Sequence, residues 1–185
     1  MNAKQQWTAA SPGQFGPWQQ AMSRRRSRTN LMATIMSAES AEAIREASLL
    51  LREYAASLGV DLSFQDCDQE IASLPGDYAP PHGRLFLALV WGEIAGCAAL
   101  RKSDGYTGEM KRLYVRLGFR GQGVGRGLAQ AVIDAARAIG YRRVRLDTLP
   151  EMRKAQELYR SLGFREIPPY RYNPVPGTKF FELIL

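Results

Sequence analysis

Four glycines fall within the eight residues Arg120-Gly121-Gln122-Gly123-Val124-Gly125-Arg126-Gly127. Glycines at this density let main-chain N–H groups approach a single anion closely and adopt the φ values that convergence requires. The segment follows a strand-like run, Glu109 to Arg116, with apolar Met110, Leu113, Tyr114 and Val115. It opens a helix-like face of Leu128, Val132, Ala135 and Ala136 that Gly140 closes. A helix N-terminus carries partial positive charge, and Arg120 and Arg126 add formal charge, so a diphosphate is the natural ligand.

Two nucleotide motifs are excluded. A P-loop ends in Gly-Lys-Ser/Thr, whereas this segment ends in Gly125-Arg126-Gly127 and offers neither the lysine nor a magnesium-binding hydroxyl. The dinucleotide fingerprint G-x-G-x-x-G fails in both registers, because its last place falls on Arg126 or on Leu128. Too few strand-helix units follow for a doubly wound sheet.

The segment resembles the Arg/Gln-x-x-Gly-x-Gly/Ala signature of the GNAT superfamily of N-acetyltransferases, met by Arg120, Gly123 and Gly125. Leu113-Tyr114-Val115 is similar to the strand that precedes it in that family. Ala155-Gln156-Glu157-Leu158-Tyr159-Arg160-Ser161-Leu162-Gly163-Phe164 is similar to the family's A-x-x-L-Y-x-x-x-G-F helix. The resemblance spans about residues 33 to 185. It implies an α/β (α+β) fold: a central mixed, mostly antiparallel sheet of six to seven strands, flanked by about four helices, with a splayed strand pair holding acyl-CoA. It also implies the co-substrate, acetyl-CoA, with the acetyl group passed directly to a primary amine, and admits a homodimer.

Carried over by position, the resemblance places the donor diphosphate on Arg120, Gly121, Gln122, Gly123, Val124, Gly125 and Arg126. Leu113, Tyr114 and Val115 would line the pantetheine arm, with the Val115 main chain pairing to it like an added strand. The Leu113 amide would face the thioester carbonyl and stabilise its oxyanion. Amine attack needs a base, and the departing thiolate benefits from an acid. Tyr159 resembles the family's general acid. Glu109 lies four residues before Leu113, on the same side by the two-residue period of a strand, where some members place a base. A core aromatic and a solvated strand-start residue are the plain structural readings of these two. Two departures stand out: Met152 occupies a place often held by a CoA-binding Asn, and Leu117 one where proline is common. For the acceptor, Arg171 and Tyr172 in Tyr170–Gly177 are candidates, since guanidinium suits a carboxylate; a plain connector is an equal reading. A small-molecule or amino-acid-like amine is expected before a protein amine, and the alternative function is a non-catalytic acetyl-CoA-sensing module.

These residues need elements to hold them. From Ser40, Ala43, Ile44, Ala47, Leu50, Leu51, Tyr54 and Leu58 recur at helical spacing, with Ser40 or Ser37 as N-cap and Gly59 as stop. Residues 66 to 73 suggest a second short helix. Leu85–Val90 and Ile94–Leu100, joined by Trp91-Gly92-Glu93, read as a β-hairpin. Val144–Leu146 reads as a strand, Glu151–Leu162 as a helix, and Phe164–Ile167 and Thr178–Leu185 as closing strands. The order begins with a helix, then the hairpin, then strand-helix-strand-helix-strand-strand.

The chain has 185 residues, 45% hydrophobic and 23% charged, which suits one globular domain. No apolar run approaches the length of a membrane helix, and a cytoplasmic location is expected. The net charge is +7 from 25 basic and 18 acidic residues. Lys4, Arg24, Arg25, Arg26 and Arg28 lie in residues 1–36 with no acidic residue, so 20 basic against 18 acidic residues remain elsewhere. That distribution disfavours nucleic acid as a partner. Residues 1–32 read as a basic extension of disorder-prone composition and 33–185 as the folded domain. His82 is the only histidine, so no histidine cluster offers a metal site, and Cys67 and Cys97 read as reduced thiols.

Overall fold

Leu85, Leu87 and Leu89 alternate with Phe86, Ala88 and Val90, and all six are buried. A strand with both faces apolar must lie inside a sheet covered on both sides, and the computed structural model shows that arrangement. It describes residues 33–58 and 67–185; the basic extension and Gly59 lie outside them. Seven strands run through it: β1 Thr34–Ser37, β2 Arg84–Val90, β3 Glu93–Asp104, β4 Thr107–Val115, β5 Arg143–Thr148, β6 Arg165–Ile167 and β7 Lys179–Ile184. Their spatial order is β1-β2-β3-β4-β5-β7-β6. Only β4 and β5 pair in parallel; every other neighbour is antiparallel.

Among the described residues, four α-helices cover the sheet: α1 Ala41–Leu58, α2 Cys67–Ala72, α3 Val124–Ile139 and α4 Arg153–Ser161. Helix α1 starts where Ser40 Oγ accepts the Ala43 N–H at 3.1 Å, and it buries Ala43, Ala47, Leu50 and Leu51. These join Leu85, Leu87, Leu89, Cys97 and Ala99 on one sheet face. On the other face, Leu128, Val132, Ile133 and Ala136 of α3 meet Phe86, Ala98, Leu100 and Met110. Tyr159 of α4 joins that second core beside Phe164 and Phe181.

The hairpin between β2 and β3 turns on Trp91 and Gly92, at φ 60° and 84°. Left-handed backbone at both central residues matches the twist of the flanking strands. The sequence order lacked β1: Thr34-Ile35-Met36-Ser37 is too short to show a period, yet it pairs with Phe86–Leu89.

Two irregularities shape the middle of the sheet. Strands β4 and β5 pair at only three positions, ending at Glu109 opposite Arg145, and beyond that point they diverge. In β4, the partners of β3 step from Ala99↔Lys111 to Cys97↔Tyr114. Three residues of β4 therefore oppose two of β3 as a β-bulge, and Arg112 within it has φ 57°. The bulge reverses the facing of everything after it. Leu113 and Val115 pack with Met110 on the α3 side, whereas Glu109 and Lys111 face the other way. The expectation that Glu109 and Leu113 share a side is therefore corrected: the two-residue period does not survive the extra residue.

Candidate functional site

The glycine-rich turn leads into α3 through Gly121 and Gly123, at φ 77° and 81°. Nothing lies within 4 Å of a Cβ built at either position, so glycine is needed there for its backbone and not for space. Gly123 is the N-cap of α3 and supplies no side-chain cap. The first helical hydrogen bond runs from Gly127 N–H to Gly123 O. No acceptor among the described residues takes the N–H groups of 121–126. They form an open set of donors at the positive end of a four-turn helix, a receptor for a phosphate-like anion.

Side chains brace this turn. Gln122 Nε2 donates to Gly118 O at 2.9 Å, and Arg126 Nη2 donates to Ser161 Oγ at 2.7 Å, tying the turn to α4. Arg120 Nε donates to Val115 O at 2.8 Å, and its guanidinium lies 6.0 Å from the Tyr114 ring centroid. Arg120 thus secures the exit from β4.

Between the diverging ends of β4 and β5 lies a pocket lined by Met110, Lys111, Arg112, Leu113, Asp147, Thr148, Leu149, Met152, Ala155, Tyr159 and others. Arg116 N–H donates to Ala95 O on the β3 side at 2.9 Å. By strand alternation the N–H groups of Val115 and Leu113 turn the opposite way, into the gap where β5 has departed. Gly96 permits this course. A Cβ there would lie 2.3 Å from Tyr114 O, so only glycine lets β3 and β4 approach so closely after the bulge.

Tyr159 reaches the pocket from α4 and is itself buried. Burial first, then the Tyr54 and Asp147 charges, hold its phenol well above the ordinary tyrosine range, so it keeps its proton at neutral pH. Met152, in place of the common Asn, lines the same pocket and receives the Thr148 hydroxyl at its sulfur at 3.6 Å.

On the other sheet face is a network of charged residues that the sequence reading mostly missed. Glu109, buried, accepts from Arg101 Nε at 2.8 Å and from the Tyr170 hydroxyl at 3.0 Å. Arg171 Nη1 stands 3.4 Å from Glu109 Oε1, while its Nη2 bonds Asp147 Oδ1 at 2.5 Å. Asn173 Nδ2 donates to Asp147 Oδ2 at 2.9 Å, and Lys111 Nζ lies 3.6 Å from Asp147 Oδ1. Burial would raise Asp147, but the Lys111 and Arg171 charges and its two hydrogen bonds outweigh it and hold the carboxyl below its usual value. Burial pulls Lys111 below the lysine range despite the nearby carboxylates. Tyr172, the other acceptor candidate, is exposed, and its neighbour Tyr170 makes the contact with Glu109. A signal for this network was present: Glu109 and Lys111 alternate with Met110 as charges in a strand whose first six residues are buried, and Asp147 sits between the buried Leu146 and Thr148.

The family model for the acetyltransferase (GNAT) family matches residues 48–164. The chain belongs to the GNAT acetyltransferase family. An uncharacterized N-acetyltransferase of Schizosaccharomyces pombe is 39% identical over 137 residues, 73% of this chain and 84% of that one. The N-acetylaspartate synthetase of Danio rerio is 34% identical over 133 residues, 70% of this chain and 47% of that protein. Among solved structures, an acetyltransferase from Streptococcus agalactiae superimposes with TM-score 0.68 at 23% identity, covering 83% of this chain and 98% of that chain. A Bacillus subtilis acetyltransferase in complex with CoA gives TM-score 0.61 at 20% identity, covering 83% and 99%. The seven-stranded mixed sheet with its four helices is thus the GNAT fold, and the chain is an acyltransferase of that family. Among the described residues, no helix is long and apolar enough to cross a membrane, and no cluster of three metal-ligating side chains occurs.

Proposed function

We propose that this GNAT protein is an acetyl-CoA-dependent N-acetyltransferase that passes the acetyl group directly to a primary amine of a small, amino-acid-like acceptor. The observation that carries this reading is the gap between β4 and β5: it begins after Glu109 and holds a pocket lined by Leu113 and the buried Tyr159. The donor supplies an activated acetyl group as a thioester. The chain's own groups do the rest.

In this reading the open N–H groups of residues 121–126 hold the donor's diphosphate, and Arg120, Gln122 and Arg126 keep that turn in shape. The Val115 main chain runs alongside the pantetheine arm. The Leu113 N–H, aimed into the gap, stabilises the negative charge that grows on the carbonyl oxygen as the amine nitrogen attacks; one such donor is typically worth about 10²–10³ in rate. When the carbon–sulfur bond breaks, the Tyr159 hydroxyl gives its proton to the thiolate. Glu109 faces away from Leu113 and does not line the pocket, so as the base it draws off the amine's proton through an intervening water or side chain and not directly. The relationship to a protein named N-acetylaspartate synthetase and the cationic side chains Lys111 and Arg171 support an amino-acid-like acceptor.

The test is thiol release from acetyl-CoA across a panel of primary amines. Acceptor-dependent release is expected. Tight acetyl-CoA binding with no release across the panel would reject the enzymatic reading in favour of a sensing module.

A further inference from the structure

The charged network beneath the pocket does not balance. Arg101, Glu109, Arg171, Asp147 and Lys111 form one connected chain, three cations against two carboxylates. Asp77 reaches Arg101 only at 3.8 Å and is largely in water, so it does little for the inner end. Both buried carboxylates are occupied elsewhere. Glu109 takes Arg101, Tyr170 and Arg171, and Asp147 takes Arg171 and Asn173.

The surplus falls on Lys111. Its side chain is 7% exposed, it lines the pocket, and its nearest carboxylate oxygen is 3.6 Å away, past hydrogen-bond length. An ammonium carries three N–H donors, and none has an acceptor among the described residues. Lys111 lines the pocket, so an acceptor that enters it can take these donors. Arg112, the adjacent cation, is already forked onto Glu70, at 2.8 Å for each of two bonds.

We propose that Lys111 is the receptor for a carboxylate of the acceptor, so that the substrate class is an amino acid with a free carboxylate on the carbon bearing the amine or on the next one. The inference rests on the N-acetyltransferase reading above. Lys111 and Leu113 flank the Arg112 bulge, and both line the same pocket. A carboxylate held by Lys111 in that pocket leaves an amine one or two carbons away beside the Leu113 main chain. The bound anion also removes the charge surplus and supplies the missing hydrogen-bond acceptor.

The experiment pairs each of several α- and β-amino acids with its carboxamide, which keeps the amine and loses the charge. Thiol release is measured for the wild type, Lys111→Met and Lys111→Arg. The wild type is expected to favour the free acid by about tenfold to a hundredfold in kcat/KM, the range of one charge-assisted hydrogen-bonded contact. Lys111→Met should lose that preference, chiefly through KM on the acid, and Lys111→Arg should keep part of it. Equal use of acid and amide by the wild type overturns the assignment. So does an equal fall in kcat on both in Lys111→Met, which would make Lys111 a proton acceptor. Calorimetric titration of the same pairs into the CoA-loaded protein separates this inference from the enzymatic reading: acid-selective binding that Lys111→Met abolishes upholds it even without turnover, and absence of selective binding refutes it.

Discussion

Arg112, the left-handed residue in the bulge of β4, holds Glu70 of α2 through two hydrogen bonds of 2.8 Å, from Nε and Nη2 to the two carboxylate oxygens. Tyr78 adds its hydroxyl to the same carboxylate at 2.7 Å. Glu70, far from β4 in sequence, thus braces the bulge that precedes Leu113.

Glu70→Gln should therefore cost both stability and rate. The Arg112 side chain is 3% exposed, and removing the charged partner of a buried ion pair typically costs about 3–5 kcal/mol. Urea denaturation would show the loss. The effect depends on pH in a defined direction. Burial raises the Glu70 carboxyl, but the hydrogen bonds and charge of Arg112, with Tyr78 and Lys111, more than offset this and leave it lowered. A lowered carboxyl contributes stability that is fully present above its unfolded value of about 4.3 and is lost as pH falls through its folded value. The gap between wild type and Glu70→Gln should accordingly narrow on acidification below about pH 4.

Gly123→Ala tests the anion receptor. No neighbour obstructs the added methyl, so the cost is the left-handed backbone alone, about 1–2 kcal/mol. If the turn relaxes to relieve it, the N–H groups of 121–126 no longer converge. Calorimetry should show acetyl-CoA affinity falling about tenfold for each 1.4 kcal/mol of lost binding, with little change in the acceptor's KM. Unchanged affinity would detach this turn from donor binding.

Tyr159→Phe removes one hydroxyl from a buried ring that keeps its contacts with Phe164 and Phe181. The fold should tolerate it. Thiol release should fall by about 10²–10⁴, the usual worth of a positioned acid. The raised phenol sets a second sign: its contribution to stability is fully present below the unfolded value of about 10 and declines as pH rises above it. The wild type should lose stability relative to Tyr159→Phe only in that alkaline range, which thermal melts from pH 8 to 11 would resolve.

What could be read from the sequence divides along physical lines. The turn at Gly121 and Gly123 was legible because only glycine adopts its backbone freely. The hairpin at Trp91-Gly92 was legible because two apolar runs flank it. Helix α1 declared itself through Ala43, Ala47, Leu50 and Leu51, whose spacing follows directly from burial on one side. The reversal at Arg112 left no mark, since arginine is not a residue that announces a left-handed position. Without that reversal, the two-residue period assigns Glu109 and Leu113 to one face. The charged network was hidden for another reason: Arg101, Lys111, Asp147 and Arg171 come from three strands and a loop, and only the sheet order brings them together.

The sheet ends on its two shortest strands, β1 with four residues and β6 with three. Pro168 and Pro169 follow β6 directly and cannot donate to a neighbouring strand. Edges this brief offer little template for another chain, which protects the protein from edge-to-edge aggregation. For the same reason, a homodimer built by continuing the sheet from one subunit into the next would have only a few hydrogen bonds at its seam.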